Sequence, residues 1–394
     1  MKKNNYILPL ALVFSLFFLW AISSNLLPTM IRQLMKSCNL NPFQASFTES
    51  AYWLAYFICP IPIAMFLKRY SYKAGIIFGL SLAALGAFLF FPASEINNYG
   101  VYLAIFFLIA TGMCFLETAA NPYVTALGES DTAPRRLNLA QAFNGLGAFI
   151  AAMFLSKSVL SSGNFTGVYF ILGGILIIAA VIFVFAHMPK TSDEIEVQNN
   201  KEEKLIEFSV LKHRHLRWGV IAQFFYNGGQ TAINSLFLVY CCTYAGIEED
   251  TATTYFGLYM LCFLLGRWIG TWLMGRYKPQ NMLLVYALAN VLLCIIVSTL
   301  GGEAGIWAMM AISFFMSIMY PTQFSMALTG LGKQTKSGSA FLVMAIVGNA
   351  CLPQLTAYIM NSNPEIYQIA YIIPAICFAF CAYYGWRGHI VGNR

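Results

Sequence analysis

The chain has 394 residues, of which 59% are hydrophobic and 10% charged, and its formal net charge is +7. Soluble domains carry roughly a quarter charged residues, so this chain lacks the charge to cover a water-facing surface. Its mean hydropathy of +0.66 excludes a soluble globular protein and places it in a membrane.

The opening MKKNNYILPLALVFSLFFLWAISS begins with the lysines and apolar run of a signal peptide. That run outlasts the usual length of about 7–15 residues, and no small-x-small cleavage site follows, so it reads as the first span. Beyond it, hydrophobic runs of about 20 residues recur, each long enough to cross a ~30 Å hydrocarbon core as a helix. The alternating segments of about 10 residues that mark a membrane barrel are missing. Cutting at turn residues and charges places spans near 6–30, 44–67, 74–93, 100–124, 138–160, 167–187, 215–241, 251–275, 281–300, 304–327, 338–360 and 366–386. The expected fold is an all-α membrane protein with twelve transmembrane helices in two six-helix bundles, residues 1–187 and 215–394, joined by a linker over 188–214.

Basic residues choose the orientation. One set of connections holds Lys2, Lys3, Lys68, Arg69, Lys73, Arg135, Arg136, Lys278, Lys333, Lys336 and the lysines of the linker; the other holds Arg32, Lys36 and Lys157. By the positive-inside rule both termini and the linker are cytoplasmic. Attraction to anionic lipid explains the positive charge without a nucleic-acid partner. The linker, with its mixed charges, reads as solvated, and His213 and His215 are expected to be solvated with it. Cysteines fall mostly within apolar runs, with no CxxC pair and no histidine cluster, so neither metal nor cofactor is expected.

Weak internal symmetry accompanies the six-plus-six division. FLKRYSYKAG follows span 2 and LMGRYKPQN follows span 8; NPYVTALG ends span 4 and YPTQFSMALTGLG ends span 10. A duplicated bundle of this kind resembles the major facilitator superfamily, and the resemblance implies alternating access with the site near the midplane between halves. No P-loop is present to couple ATP.

Polar residues inside spans then mark chemistry. Glu117 in FLETAANPYVTALG lies about 25 Å along span 4, past the midplane. Desolvation there favours the neutral carboxyl, which suits a group that is protonated when occluded and ionised when wet. Its structural alternative is a hydrogen bond to a neighbouring amide or to Arg267. In span 7, Gln223, Asn227, Gln230 and Asn234 recur at spacings of four, three and four, along one helical face beside Tyr226. Amides donate and accept hydrogen bonds and aromatic faces cover apolar ring surfaces, a combination suited to a neutral sugar. Trp20, Asn25, Tyr52, Trp53, Gln141, Asn144 and Asn349 could join them from other spans, or could serve as interhelical hydrogen bonds.

The stretches FLETAANPYVTALG, RRLNLAQAFNGLG, PIPIAMFLKRYSYKAGIIFGL, AQFFYNGGQ, LGRWIGTWLM and YPTQFSMALTGLGKQTKSGSAFLVMAIVG together resemble the fucose:proton symporter family of that superfamily. The resemblance implies proton-coupled uptake of a neutral monosaccharide across a bacterial inner membrane, with L-fucose the first expectation. It implies that Glu117 is the protonatable residue, that Asn121 of the same motif belongs to the site, and that Gln141 and Asn144 are sugar or glutamate partners. One departure stands out: the family pattern has an aspartate in span 1 where this chain has Pro28. Glu49, at a position where the pattern has glutamine, is the expected substitute, as sugar ligand or proton relay; a rim salt bridge to Arg32 or Lys36 is the alternative. Met316 stands opposite Glu117 when Pro122 and Pro321 are matched, so proton chemistry is expected only in the N-terminal half.

The expectation is therefore a non-enzymatic symporter, monomeric, with a small neutral sugar and a proton, or sodium, as its partners. Glucose, galactose and N-acetylglucosamine are alternative substrates, and a non-transporting sugar sensor is the alternative class.

Overall fold

A computed structural model of the chain describes residues 7–40, 42–151, 165–191, 207–362 and 364–391. The first six residues, the end of the expected span 138–160 with Lys157, and linker residues 192–206 lie outside the described residues. Every regular element among the described residues is helical. In chain order the α-helices are α1 (Ile7–Asn25), α2 (Leu27–Ser37), α3 (Pro42–Ile58), α4 (Pro60–Arg69), α5 (Tyr72–Ile96), α6 (Tyr99–Ala126), α7 (Ala133–Ile150) and α8 (Phe165–Phe185). They continue as α9 (Arg214–Val239), α10 (Glu249–Leu273), α11 (Pro279–Leu300), α12 (Gly302–Met316), α13 (Met319–Leu328), α14 (Thr335–Met344), α15 (Gly348–Ser362) and α16 (Ile372–Tyr383).

Nine helical stretches among the described residues are long and apolar enough to cross a membrane, and the bent pair α3 and α4 makes a tenth. The helices α7 and α9 have spanning length but carry the arginines and amides that lower their hydropathy. These helices lie along the hydrophobic runs read from the sequence, ten of which meet the length and hydropathy of a span among the described residues.

Local chemistry sets the boundaries. The Asn97–Asn98 pair makes the tight turn between α5 and α6: Asn97 takes the left-handed conformation at φ 46°, and the Asn98 side chain accepts from the Gly100 amide at 2.9 Å. Ser71 caps α5 by accepting from the Ala74 amide at 3.0 Å. Pro60 opens α4 after a bend of 43°.

The chain forms two compact units, each exchanging a segment of sequence with the other. Unit 1 comprises Met1–Ala133, Phe143–Phe208 and Leu331–Met344; unit 2 comprises Pro134–Ala142, Ser209–Gly330 and Ala345–Arg394. In unit 1, α5 packs along α6 and α8, and α3 lies on α6. A Cβ on Gly112 would meet the Gly79 carbonyl at 2.7 Å and the Ala83 amide at 2.6 Å, so the α5–α6 crossing closes only on glycine. In unit 2, α9 packs on α15 and α16, and α11 on α12 and α16.

One expectation about water exposure is corrected. His215 is buried in the first turn of α9, with its ring against that of His213, because the linker's last residues fold onto the bundle. Among the described residues no cluster of metal-binding side chains forms around it. Lys68 and Lys336, both counted in the basic set of connections, are 8% and 2% exposed.

Candidate transport site

The predicted site residues divide between the units. Glu49, Glu117, Asn25, Asn121 and Asn144 fall in unit 1; Gln141, Gln223, Tyr226, Asn227, Gln230 and Asn234 fall in unit 2.

In unit 1, Glu117 sits on α6 at 2% exposure. One turn further on, Asn121 is fully buried, and neither its amide oxygen nor its nitrogen has a hydrogen-bond partner among the described residues. Burying an amide without a partner is costly, which sets Asn121 apart from the amides that are hydrogen-bonded within the fold. Against α6, α3 presents Tyr52, Trp53 and Tyr56, whose rings meet at centroid distances of 5.4 to 5.7 Å. Ser24 shares a hydrogen bond with the Tyr52 hydroxyl at 3.1 Å, and the Trp20 indole donates to the Tyr56 hydroxyl at 3.3 Å. Glu117 lies close enough to Tyr52 and Tyr56 for its charge to act on both hydroxyls. A buried carboxylate, a buried amide and an aromatic wall with polar tips thus share one side of unit 1.

Glu49 is exposed, two turns before Tyr56, and accepts from the Trp53 indole at 3.4 Å. The Trp53 ring joins it to the aromatic cluster. The expected alternative, a pair with Arg32 or Lys36, falls on side chains that are not described. Asn25 donates to the Ala21 carbonyl of its own helix at 2.8 Å, and Asn144 donates to the Phe17 carbonyl at 3.3 Å.

In unit 2 part of the amide face of α9 has structural work. Proline at 321 cannot donate to the Ser317 carbonyl, and the chain breaks between α12 and α13. Arg267 Nε donates to that freed Ser317 carbonyl at 2.8 Å, Tyr226 Oη to the Met316 carbonyl at 2.9 Å, and Gln223 Nε2 to the Tyr320 carbonyl at 2.9 Å. Asn227 is turned onto Gln223, donating to its carbonyl at 2.7 Å. Asn234 accepts from the Tyr259 hydroxyl. Gln230 is half-buried and makes no hydrogen bond among the described residues. Arg267 also donates to the Gln141 carbonyl at 2.7 Å, while the Gln141 amide nitrogen stays buried without a partner among the described residues.

The matched proline of α6 behaves alike. Pro122 leaves the Thr118 carbonyl without its helical donor, and Ser339 Oγ donates to it at 3.2 Å. Thus Thr118 and Ser317, equivalent when the two prolines are matched, are both capped by side chains. Sequence reasoning missed Tyr56 and Ser339. The i, i+4 spacing of Tyr52 and Tyr56 could have revealed the first; nothing local signals the second, whose partner is 221 residues away.

Residues 12–352 match the model of the Major Facilitator Superfamily, and the chain belongs to that superfamily of membrane transporters. Within it the chain falls in the fucose:proton symporter family. It is 39% identical to the L-fucose-proton symporter of Escherichia coli over 96% of this chain and 92% of that protein. It is 33% identical to the glucose/galactose transporter of Brucella abortus over 98% of this chain and 95% of that one. The solved E. coli fucose:proton symporter superposes with a TM-score of 0.88, covering 98% of this chain and 99% of that chain at 38% identity.

Proposed function

We propose that this multi-pass membrane protein imports a neutral monosaccharide together with protons, by alternating access, across a bacterial inner membrane. L-fucose is the first substrate to test, with glucose, galactose and N-acetylglucosamine next. The observation that carries the reading is Glu117: a carboxylic acid 2% exposed within a spanning helix, beside a buried amide and an aromatic wall. An acid at such a position is a carrier for the coupled proton, loaded in one state of the transporter and unloaded in the other. Asn121, Asn144, Gln141 and Gln230 are the amides with capacity left for sugar hydroxyls, whereas Gln223, Tyr226 and Asn227 shape the wall by bracing the α12–α13 break. The rings of Trp20, Tyr52 and Tyr56 offer the flat apolar surface on which the C–H face of a sugar packs.

The division into bundles at the 188–214 linker, cytoplasmic termini and function as a monomer belong to the same proposal. Support comes from the bias of basic residues and from relatives named as sugar symporters or transporters.

The test is uptake of the four labelled sugars into proteoliposomes under an imposed pH gradient and, separately, a sodium gradient. Wild-type protein is expected to accumulate one of them when the outside is acidic. Glu117→Gln, isosteric and permanently neutral, is expected to lose accumulation while still exchanging labelled for unlabelled sugar. Full pH-driven accumulation by the variant would sink the assignment, and accumulation driven by sodium alone would replace the coupling ion.

A further inference from the structure

Residues 334–341 come late in the sequence yet pack inside unit 1. The Lys336 ammonium donates to the Leu67 carbonyl at 3.0 Å and sits 4.7 Å from the centre of the Tyr72 ring. Ser339 caps the Thr118 carbonyl, and the Phe341 ring meets Phe208 edge-on at 5.7 Å. Further ties run through the last residues of the linker. Glu207 accepts from the Gln334 amide on Oε2, its backbone N–H donates to Ser337 Oγ at 3.4 Å, and its Oε1 lies 3.6 Å from Lys68 Nζ.

Glu207 therefore joins three elements with one side chain: the end of α4, the turn before α14, and the linker itself. The electrostatics make this join conditional. Docking buries two ammonium groups, Lys68 and Lys336, in the same region, and a buried cation is tolerated only with a nearby opposite charge. The Glu207 carboxylate supplies that charge to Lys68. What the docked segment covers is α6 at Thr118, the residue next to Glu117.

We propose that Glu207 is a positioning residue of the transport cycle. By pairing with Lys68 and Gln334 it latches residues 334–341 over the stretch of α6 that carries Glu117, and release of the latch opens that stretch to the cytoplasm. The transport role rests on the proposed function, but the latch itself can be tested without any sugar.

Hydrogen–deuterium exchange on the purified full-length protein in lipid nanodiscs reads the docking directly. In Glu207→Gln, exchange over 331–341 is expected to rise about tenfold, while α9 in unit 2 stays at the wild-type rate. The reversed pair, Lys68→Glu with Glu207→Lys, keeps the attraction and lets Gln334 turn its amide to accept; it is expected to bring exchange back toward wild type, whereas Lys68→Glu alone does not. Unchanged exchange in Glu207→Gln overturns the latch. So does a rise spread evenly over the chain, or a reversed pair that exchanges as fast as the single variants.

Discussion

A carboxylic acid inside a spanning helix is held there by what surrounds it, and the surroundings of Glu117 are unlike those of the other polar residues in the spans. Tyr226 and Arg267 spend their donors on carbonyls at the α12–α13 break, and Gln223 on the Tyr320 carbonyl just beyond it. Asn121 spends nothing among the described residues, and Glu117 shares α6 with it one turn away. At the rim, Glu49 accepts from the Trp53 indole, whose ring touches both tyrosines, and the proposal that it compensates for Pro28 is tested by removing its charge. Glu49→Gln is expected to lower the accumulation ratio under a pH gradient while leaving sugar exchange intact. An unchanged ratio would make Glu49 a surface carboxylate with no share in coupling.

At the scale of the elements, two devices recur: a proline that frees a carbonyl, and a glycine that lets helices touch. Pro122 and Pro321 each sit four residues after a carbonyl that a side chain from another element then caps. The two spans differ in outcome, since α6 stays continuous whereas its counterpart breaks into α12 and α13. The close approach of α5 and α6 depends on Gly79 and Gly112, where an added methyl meets backbone that cannot swing aside. Gly112→Ala is expected to cost about 1–3 kcal/mol, read as a lower melting temperature in detergent. A melting temperature equal to wild type would show that the crossing relaxes without strain.

For the whole molecule, the hydrophobic runs fell where the helices are, because the ~30 Å hydrocarbon core imposes a length that composition alone can report. The two spans short on hydropathy, α7 and α9, are those enriched in amides, so the weakest span signals coincide with functional candidates. The proposed orientation rests on the basic residues: green fluorescent protein fused after Arg394 is expected to fluoresce, and alkaline phosphatase at the same place to be inactive. The opposite pair of results would invert the topology. Even so, counting lysines by loop does not say which face lipid. Lys68 and Lys336 are buried within unit 1, and the end of a linker that reads as solvated closes over one of them through Glu207.

Sequence alone determined the class of protein, the spans and the acid at Glu117, along with the proline pair and the aromatic and amide faces. All of these are local: hydropathy, helical spacing and the missing N–H of proline act within a few turns. Tertiary structure alone decided which amides are consumed and which stay available, that Tyr56 joins the aromatic wall, that Ser339 belongs beside Glu117's helix, and that Glu207 meets Gln334 and Lys68. Those outcomes rest on partners such as Thr118 and Ser339, 221 residues apart, or Gln334 and Glu207, 127 apart. No pattern along the chain encodes such pairings, because a hydrogen bond depends on distance in space rather than separation in sequence.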